Sequence, residues 1–151
     1  NKKKLKPLEQ ECQYILSKLE ERFPQTKMNG RKNIWVVKPA GLSRGRGIEL
    51  FSSYHEIVHH LKTRDFSYVI QKYIENPMCH KGKKMDIRQW VLVTDWNPLT
   101  IWLYGECYIR LGTNQFSLEN IKNVYTHLTN NSVNKHSENF VLEDGFASQA
   151  E

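Results

Sequence analysis

Residues 84–110 read Lys-Met-Asp-Ile-Arg-Gln-Trp-Val-Leu-Val-Thr-Asp-Trp-Asn-Pro-Leu-Thr-Ile-Trp-Leu-Tyr-Gly-Glu-Cys-Tyr-Ile-Arg. Apolar and β-branched residues dominate both halves, and a turn signal, Asp95-Trp96-Asn97-Pro98, separates them. The reading is a long β-hairpin with strands over 85–94 and 100–110. A doubly wound parallel fold needs a helix after nearly every strand, so the hairpin points instead to an α+β (mixed α/β) class. Lys84, Asp86 and Arg88 alternate and therefore line one face of their strand, with Met85, Ile87, Val91 and Val93 on the other. A buried charge is costly unless it is paired or liganded. Two readings follow: a ligand pocket backed by the apolar side, or a salt-bridged open face of a sheet. Arg110 closes the second strand, and a one-residue slip in register decides whether it meets Asp86.

Upstream, Ile34-Trp35-Val36-Val37 is a strand that delivers Lys38. Pro39 discourages its continuation as a central strand. The loop that follows carries Gly41, Gly45 and Gly47 with Arg44 and Arg46, ahead of Ile48. Glycines let backbone approach a ligand, and exposed N–H groups cradle anions. The loop suits a nucleotide polyphosphate, or is simply a basic surface turn. It is neither a P-loop nor a dinucleotide fingerprint, because the glycine spacing and the following residues differ.

The remaining chain reads as a helix from Leu5 to Phe23 with apolar residues at helical spacing, ended by Pro24. A polar connector covers 25–33 and a short strand 48–51. A capping box at Ser53-Tyr54-His55-Glu56 opens a helix to Leu61. A strand covers 68–74, a polar loop 75–84 and a short helix 117–123. The tail from Asn134 is polar. Thr129, Asn130 and Asn131 read as a turn or cap. His55 and His59 are spaced for a metal pair but lack a third ligand in view, so a surface face beside His60 is the expectation. Trp35, Trp90, Trp96 and Trp102 lie among basic residues, which raises single-stranded nucleic acid, yet their place inside strands argues for core packing.

The chain has 151 residues, about one domain's worth, with 39% hydrophobic and 25% charged residues. Twenty-two basic against sixteen acidic residues give a net charge of +6, which favours an acidic partner. Cys12, Cys79 and Cys107 form no Cys-x-x-Cys pair, so neither a zinc ribbon nor a disulfide framework is expected, and reduced thiols in the cytoplasm fit. No apolar run is long enough to span a membrane, and no signal peptide is visible.

Taken in order, Lys38-Pro-Ala, Arg44-Gly-Arg-Gly-Ile48, Gln71-Lys-Tyr-Ile-Glu-Asn-Pro77, Lys84-Met-Asp-Ile-Arg88, Arg110 and His127-Leu-Thr-Asn130 resemble the tubulin tyrosine ligase-like family of ATP-grasp amino-acid ligases. The resemblance covers about residues 33–135. The block from Asp86 to Trp102 looks most like the tubulin glycylase branch, with Arg88-Gln89-Trp90 where other branches tend to have Arg-Xaa-Tyr.

The resemblance implies an ATP-dependent ligase that joins free glycine to glutamate side chains of tubulin tails through an acyl phosphate. A polyglutamylase of the same fold and a non-catalytic microtubule-binding module are the alternatives. It implies that Lys38 and the loop Arg44, Gly45, Arg46, Gly47 and Ile48 contact the nucleotide phosphates. Gln71, Lys72, Tyr73 and Ile74 would hold adenine. Lys84, Asp86, Thr129 and Asn130 would make further nucleotide contacts, and Arg88 and Arg110 would lie by the transferred phosphate as catalytic residues.

ATP and Mg²⁺ are the implied cofactors, with the metal's acidic ligands expected further towards the C-terminus than this chain extends. The expected division is a lead-in helix and connector (1–32), the central part of an ATP-grasp domain (33–135) and a polar tail (136–151), catalytically incomplete alone. Tubulin and microtubules, with their acidic tails, are the implied partners, with no nucleic acid and no membrane. The implied location is the cytoplasm and cytoskeleton, with the cilium or flagellar axoneme.

Overall fold

The computed structural model describes residues 2–64 and 67–141. The polar tail beyond residue 141 lies outside the described residues. The chain is α+β. Helix α1 (Lys2–Arg22) and the short α2 (Gln25–Asn29) come first, followed by strands β1 (Trp35–Pro39) and β2 (Glu49–Phe51). Helix α3 (Tyr54–Lys62), strand β3 (Tyr68–Lys72) and the two-residue β4 (Cys79–His80) come next. The hairpin strands β5 (Lys83–Trp96) and β6 (Leu99–Leu111) precede two single-turn helices, α4 (Val124–His127) and α5 (Asn131–Asn134).

Two antiparallel sheets form, in the orders β2-β1-β3 and β4-β5-β6. In the first, Trp35 faces Phe51 and Lys72, and Val36 faces Leu50 and Gln71. Alternation then divides the sheet. Val37 and Phe51 are buried on one face with Ile57 of α3, and Trp35, Leu61 and Tyr68 pack around them. Val36, Leu50, Ile34 and Tyr73 are buried on the other, against Ile48, Phe116, Leu118 and Ile121. Lys38 shares the Val36 face. β1 is the central strand despite Pro39. The proline is tolerated because it lies beyond the last residue paired with β2 and meets only Tyr68 of β3.

Several expectations need correction. Residues 25–29 are helical, since Pro24 has helical dihedrals and serves as the N-cap position that restarts the chain. Within the expected loop 75–84, Cys79 and His80 pair with Lys84 and Lys83. Ser53 is the N-cap of α3, but its side chain makes no capping bond. No helix forms over 117–123. There Ser117 and Asn120 side chains accept the N–H groups of Glu119 and Lys122, and such local bonds compete with helical ones. Asn123 instead caps α4 by accepting from Tyr125 N–H.

His55 and His59 are exposed, as expected of a surface face, and His60 beside them is buried between Phe51 and Tyr68, with ring centroids 5.1 and 5.5 Å away. Trp90, Trp96 and Trp102 are exposed rather than core, 79% for Trp96. The hairpin turn is tighter than expected, since pairing continues to Trp96↔Leu99. No described helix is long and apolar enough to cross a membrane.

Candidate functional site: a cationic cleft between the two sheets

The face of the first sheet that carries Val36, Lys38 and Gln71 and the charged face of β5–β6 converge on a cavity of about 450 Å³. Lys38, Ile48, Gln71 and Tyr73 enter it from the first sheet, and Lys84, Asp86, Arg88 and Arg110 from the second. His127, Thr129 and Asn130 close one side, and Met28 and Met78 also contribute.

The hairpin register sets the second wall. Asp86 lies directly opposite Arg110, so the open question of the register is answered in favour of contact. Arg110 donates to both carboxylate oxygens, Nε to Oδ1 at 3.0 Å and Nη2 to Oδ2 at 2.6 Å, and Arg88 Nη2 lies 3.3 Å from Oδ2. The pairing is the bidentate kind that orients a guanidinium. Burial outweighs the pull of Arg88, a Thr129 hydrogen bond and Lys84, and holds the Asp86 carboxyl above its ordinary value.

Lys84 is held by two acceptors. Its ammonium donates to the carbonyl of His127 at 2.9 Å and to the Tyr73 hydroxyl at 3.2 Å. It also lies over the Tyr73 ring, 4.6 Å from the centroid. Burial, helped by the like charge of Lys38 and opposed by Asp86, lowers its pKa to about 8. Lys38 donates to Gln71 Oε1 at 2.8 Å, a diagonal contact that the β1–β3 register makes possible.

Lys72 also lines the cavity, and its ammonium is bonded to Glu75. Glu75 is 2% exposed. It accepts from Lys72 Nζ at 2.6 Å and from the backbone N–H groups of Lys32 and Ile34 at 2.6 and 2.8 Å. Burial opposes its ionisation, and the bonds from Ile34, Lys72 and Lys32 outweigh it, holding the carboxyl below its ordinary value. Lys72 also donates to the carbonyls of Asn29, Ile34 and Tyr73. Its ammonium thus ties the connector before β1 to the end of β3. Gly30 allows the carboxylate in, because a Cβ there would lie 2.3 Å from Glu75 Oε2.

The glycine loop packs beside the cleft. Arg44, Gly45 and Gly47 have φ of 61°, 80° and 69°, the left-handed region that favours glycine. Ser132 Oγ donates to the Arg44 carbonyl at 2.8 Å, and a Cβ on Gly45 would sit 2.9 Å from Asn130 Oδ1. Of the loop residues singled out from sequence, Ile48 borders the cavity, whereas Arg44, Gly45, Arg46 and Gly47 do not. Ile74 does, at the rim.

Sequence reasoning assigned no role to Glu75, His127 or Asn134. His127 is 1% exposed and joins Tyr73 to the Asn120 carbonyl. Asn134 accepts from both the backbone and the hydroxyl of Thr113, and donates to the carbonyls of Leu128 and Asn130, pinning the 127–130 segment to the end of β6. Their partners lie between 3 and 54 residues away. Their sole sequence signal is membership of the short motifs around them.

The α+β scaffold thus presents a cleft walled by lysines and arginines, side chains of the kind that suit an anion. The sequence model of the Tubulin-tyrosine ligase family matches residues 1–149, and the chain belongs to that family. It is 52% identical over 80% of its length to Tubulin glycylase 3C of Tetrahymena thermophila. It is 48% identical over 86% to the human Tubulin monoglycylase TTLL3, and 46% over 87% to the human Protein monoglycylase TTLL8. The chain spans 11%, 17% and 16% of the lengths of those three proteins.

Proposed function

We propose that the protein carrying this chain is an ATP-dependent amino-acid ligase of ATP-grasp type that glycylates tubulin, and that the cleft is its nucleotide site. The observation that carries this reading is the convergence of Lys38, Lys84, Arg88 and Arg110 on one cavity, in a chain about half identical to named glycylases. The donor set fits a polyphosphate. Five cationic residues, Lys72 among them, and one carboxylate line the cavity, and the volume falls in the range of about 300–1,000 Å³ typical of ligand pockets.

Lys38 and Lys84 would neutralise phosphate oxygens, and Gln71 to Ile74 would border the base. Arg88 and Arg110, held by Asp86, would stabilise the charge that builds up as phosphate passes to a glutamate side chain, a task of positioning and electrostatics. Free glycine would then displace phosphate from the acyl phosphate. Arg44, Gly45, Arg46 and Gly47 would contribute by loop closure, and Thr129 and Asn130 from the opposite rim.

Among the described residues no three His, Cys, Asp or Glu side chains gather as a metal site. The acidic ligands of magnesium would lie outside the described residues. The +6 charge suits attraction of acidic tubulin tails, and microtubules of the cytoskeleton and cilium are the proposed setting.

The test incubates full-length protein, ATP and tubulin with glycine or with glutamate, and weighs the tail peptides. Glycine-sized additions support the reading. Glutamate-sized additions move the protein to the polyglutamylases. Unchanged masses with ATP still bound favour a microtubule-binding module.

A further inference from the structure

On the nucleotide reading of the cleft, we infer that His127 is a positioning residue: its ring fixes the Tyr73 hydroxyl as an acceptor for Lys84 and so aims the lysine's remaining N–H into the cavity.

The hydrogen-bond chain has a single consistent polarity. A carbonyl oxygen only accepts, so His127 Nε2, 3.1 Å from the Asn120 carbonyl, carries a proton and donates it. Burial, reinforced by the nearby Lys84 charge and opposed by the Asn120 bond, lowers the His127 pKa. The ring is therefore neutral, and Nδ1 keeps its lone pair. Tyr73 Oη, 3.0 Å away, must donate to Nδ1. Burial also raises the Tyr73 pKa, so the hydroxyl keeps its proton to give. With that proton committed, the lone pairs of Oη are left for Lys84 Nζ at 3.2 Å.

An ammonium has three donors. Tyr73 takes one and the His127 carbonyl a second. The third has no partner among the described residues, and Lys84 lines the cavity. His127 thus holds Lys84 twice, directly through its backbone and indirectly through its ring. Phe116 packs edge-on to the imidazole at 5.8 Å, which fixes the ring plane. The carbonyl contact survives any substitution that leaves the backbone in place. Only the ring's contribution is testable by mutation, and it passes through Tyr73.

The experiment titrates a non-hydrolysable ATP analogue into the full-length protein by calorimetry, in wild type, His127→Phe, His127→Gln, Tyr73→Phe and the double Tyr73→Phe/His127→Phe. Thermal melts confirm folding. Phenylalanine keeps the ring and removes both nitrogens. Glutamine can restore an acceptor for Tyr73. Expected is a loss of about tenfold in His127→Phe, the scale of one hydrogen bond to a charged group. A similar loss in Tyr73→Phe, no further loss in the double variant and substantial recovery in His127→Gln complete the pattern.

A structural role alone would lower the melting temperature without the non-additive affinities. Wild-type affinity in a folded His127→Phe, or additive losses in the double variant, would overturn the inference. If His127→Phe does not fold, Tyr73→Phe decides, and wild-type affinity there overturns it. Failure of the wild-type protein to bind the analogue removes the nucleotide reading itself, a result distinct from either.

Discussion

Lys84 shows how much a single side chain is asked to do. Its ordinary pKa of 10.5 falls to about 8 on burial, so a site that uses its charge works close to the point where the charge is lost. Between pH 8 and 10.5 an unfolded chain still holds a proton that the folded chain has released. Folding stability contributed by this residue therefore rises with pH across that window. Nucleotide affinity must move the other way, because the ammonium is the form that meets an anion. The expected outcome is ATP affinity that declines above pH 8, approaching about tenfold per pH unit, with little change from pH 6 to 7.5. The groups that share the environment, Lys38, Asp86 and Cys79, remain in place in Lys84→Met, which is weak at all pH values and flat from 8 to 9.5. An equally steep decline in that variant would place the titrating group elsewhere. Calorimetric titrations at half-unit intervals decide it.

At the scale of elements, the hairpin and the class of fold were legible because alternation and turn chemistry are local. Lys84, Asp86 and Arg88 share a face for the same reason, and that face is the cleft. What could not be read is whatever depends on register or on distant partners. The Asp86–Arg110 fork needs the pairing across 24 residues. The Lys72–Glu75 knot needs backbone donors 41 and 43 residues upstream, and without them Lys72 looks like any other cleft lysine. The strand pattern also breaks between Gln89 and Val91, where a bulge shifts the register, and no turn residue announces it. The glycine loop illustrates both sides. Its permissive backbone was expected, but its docking on α5 was not. A Cβ at Gly45 would meet Asn130 and Val133 at 2.9 and 3.0 Å, on a φ of 80°. Gly45→Ala is expected to cost about 1–2 kcal/mol locally, release the loop from Ser132 and Asn130, and weaken ATP binding. Limited proteolysis should cut within 40–48 several-fold faster. Gly41→Ala, where a Cβ meets nothing within 4 Å, is the matched control and should behave as wild type. Equal cleavage of the two variants would mean that the docking seen here does not hold the loop.

For the whole molecule, the distal hairpin poses the main physical problem. Val91 faces Leu103, Leu92 faces Trp102 and Val93 faces Ile101, and successive pairs point to opposite sides. Both faces are therefore apolar, the pattern of strands covered on two sides. Yet Leu92, Trp102 and Leu103 are 61%, 61% and 70% exposed. The apolar side of β5, expected from the sequence to back a pocket, does so only near Met85, which lines the cleft. Helix α1 repeats the theme, with Leu8, Ile15, Leu16 and Leu19 exposed along its apolar stripe and Phe23 exposed just past its end. Contiguous apolar surface beyond a few hundred Å² marks an interaction site or an aggregation hazard. The chain spans only 11–17% of the glycylases to which it is similar. Residues 1–151 produced alone are therefore expected to bind a hydrophobic dye strongly and to self-associate at micromolar concentration. Acrylamide should quench the fluorescence of Trp90, Trp96 and Trp102 there. In the full-length protein the same tryptophans should be several-fold less accessible, measured in single-tryptophan variants. Equal quenching in the two would show that the hairpin stands in solvent in the working protein, and would make its two apolar faces a docking surface for a separate partner rather than part of a larger core.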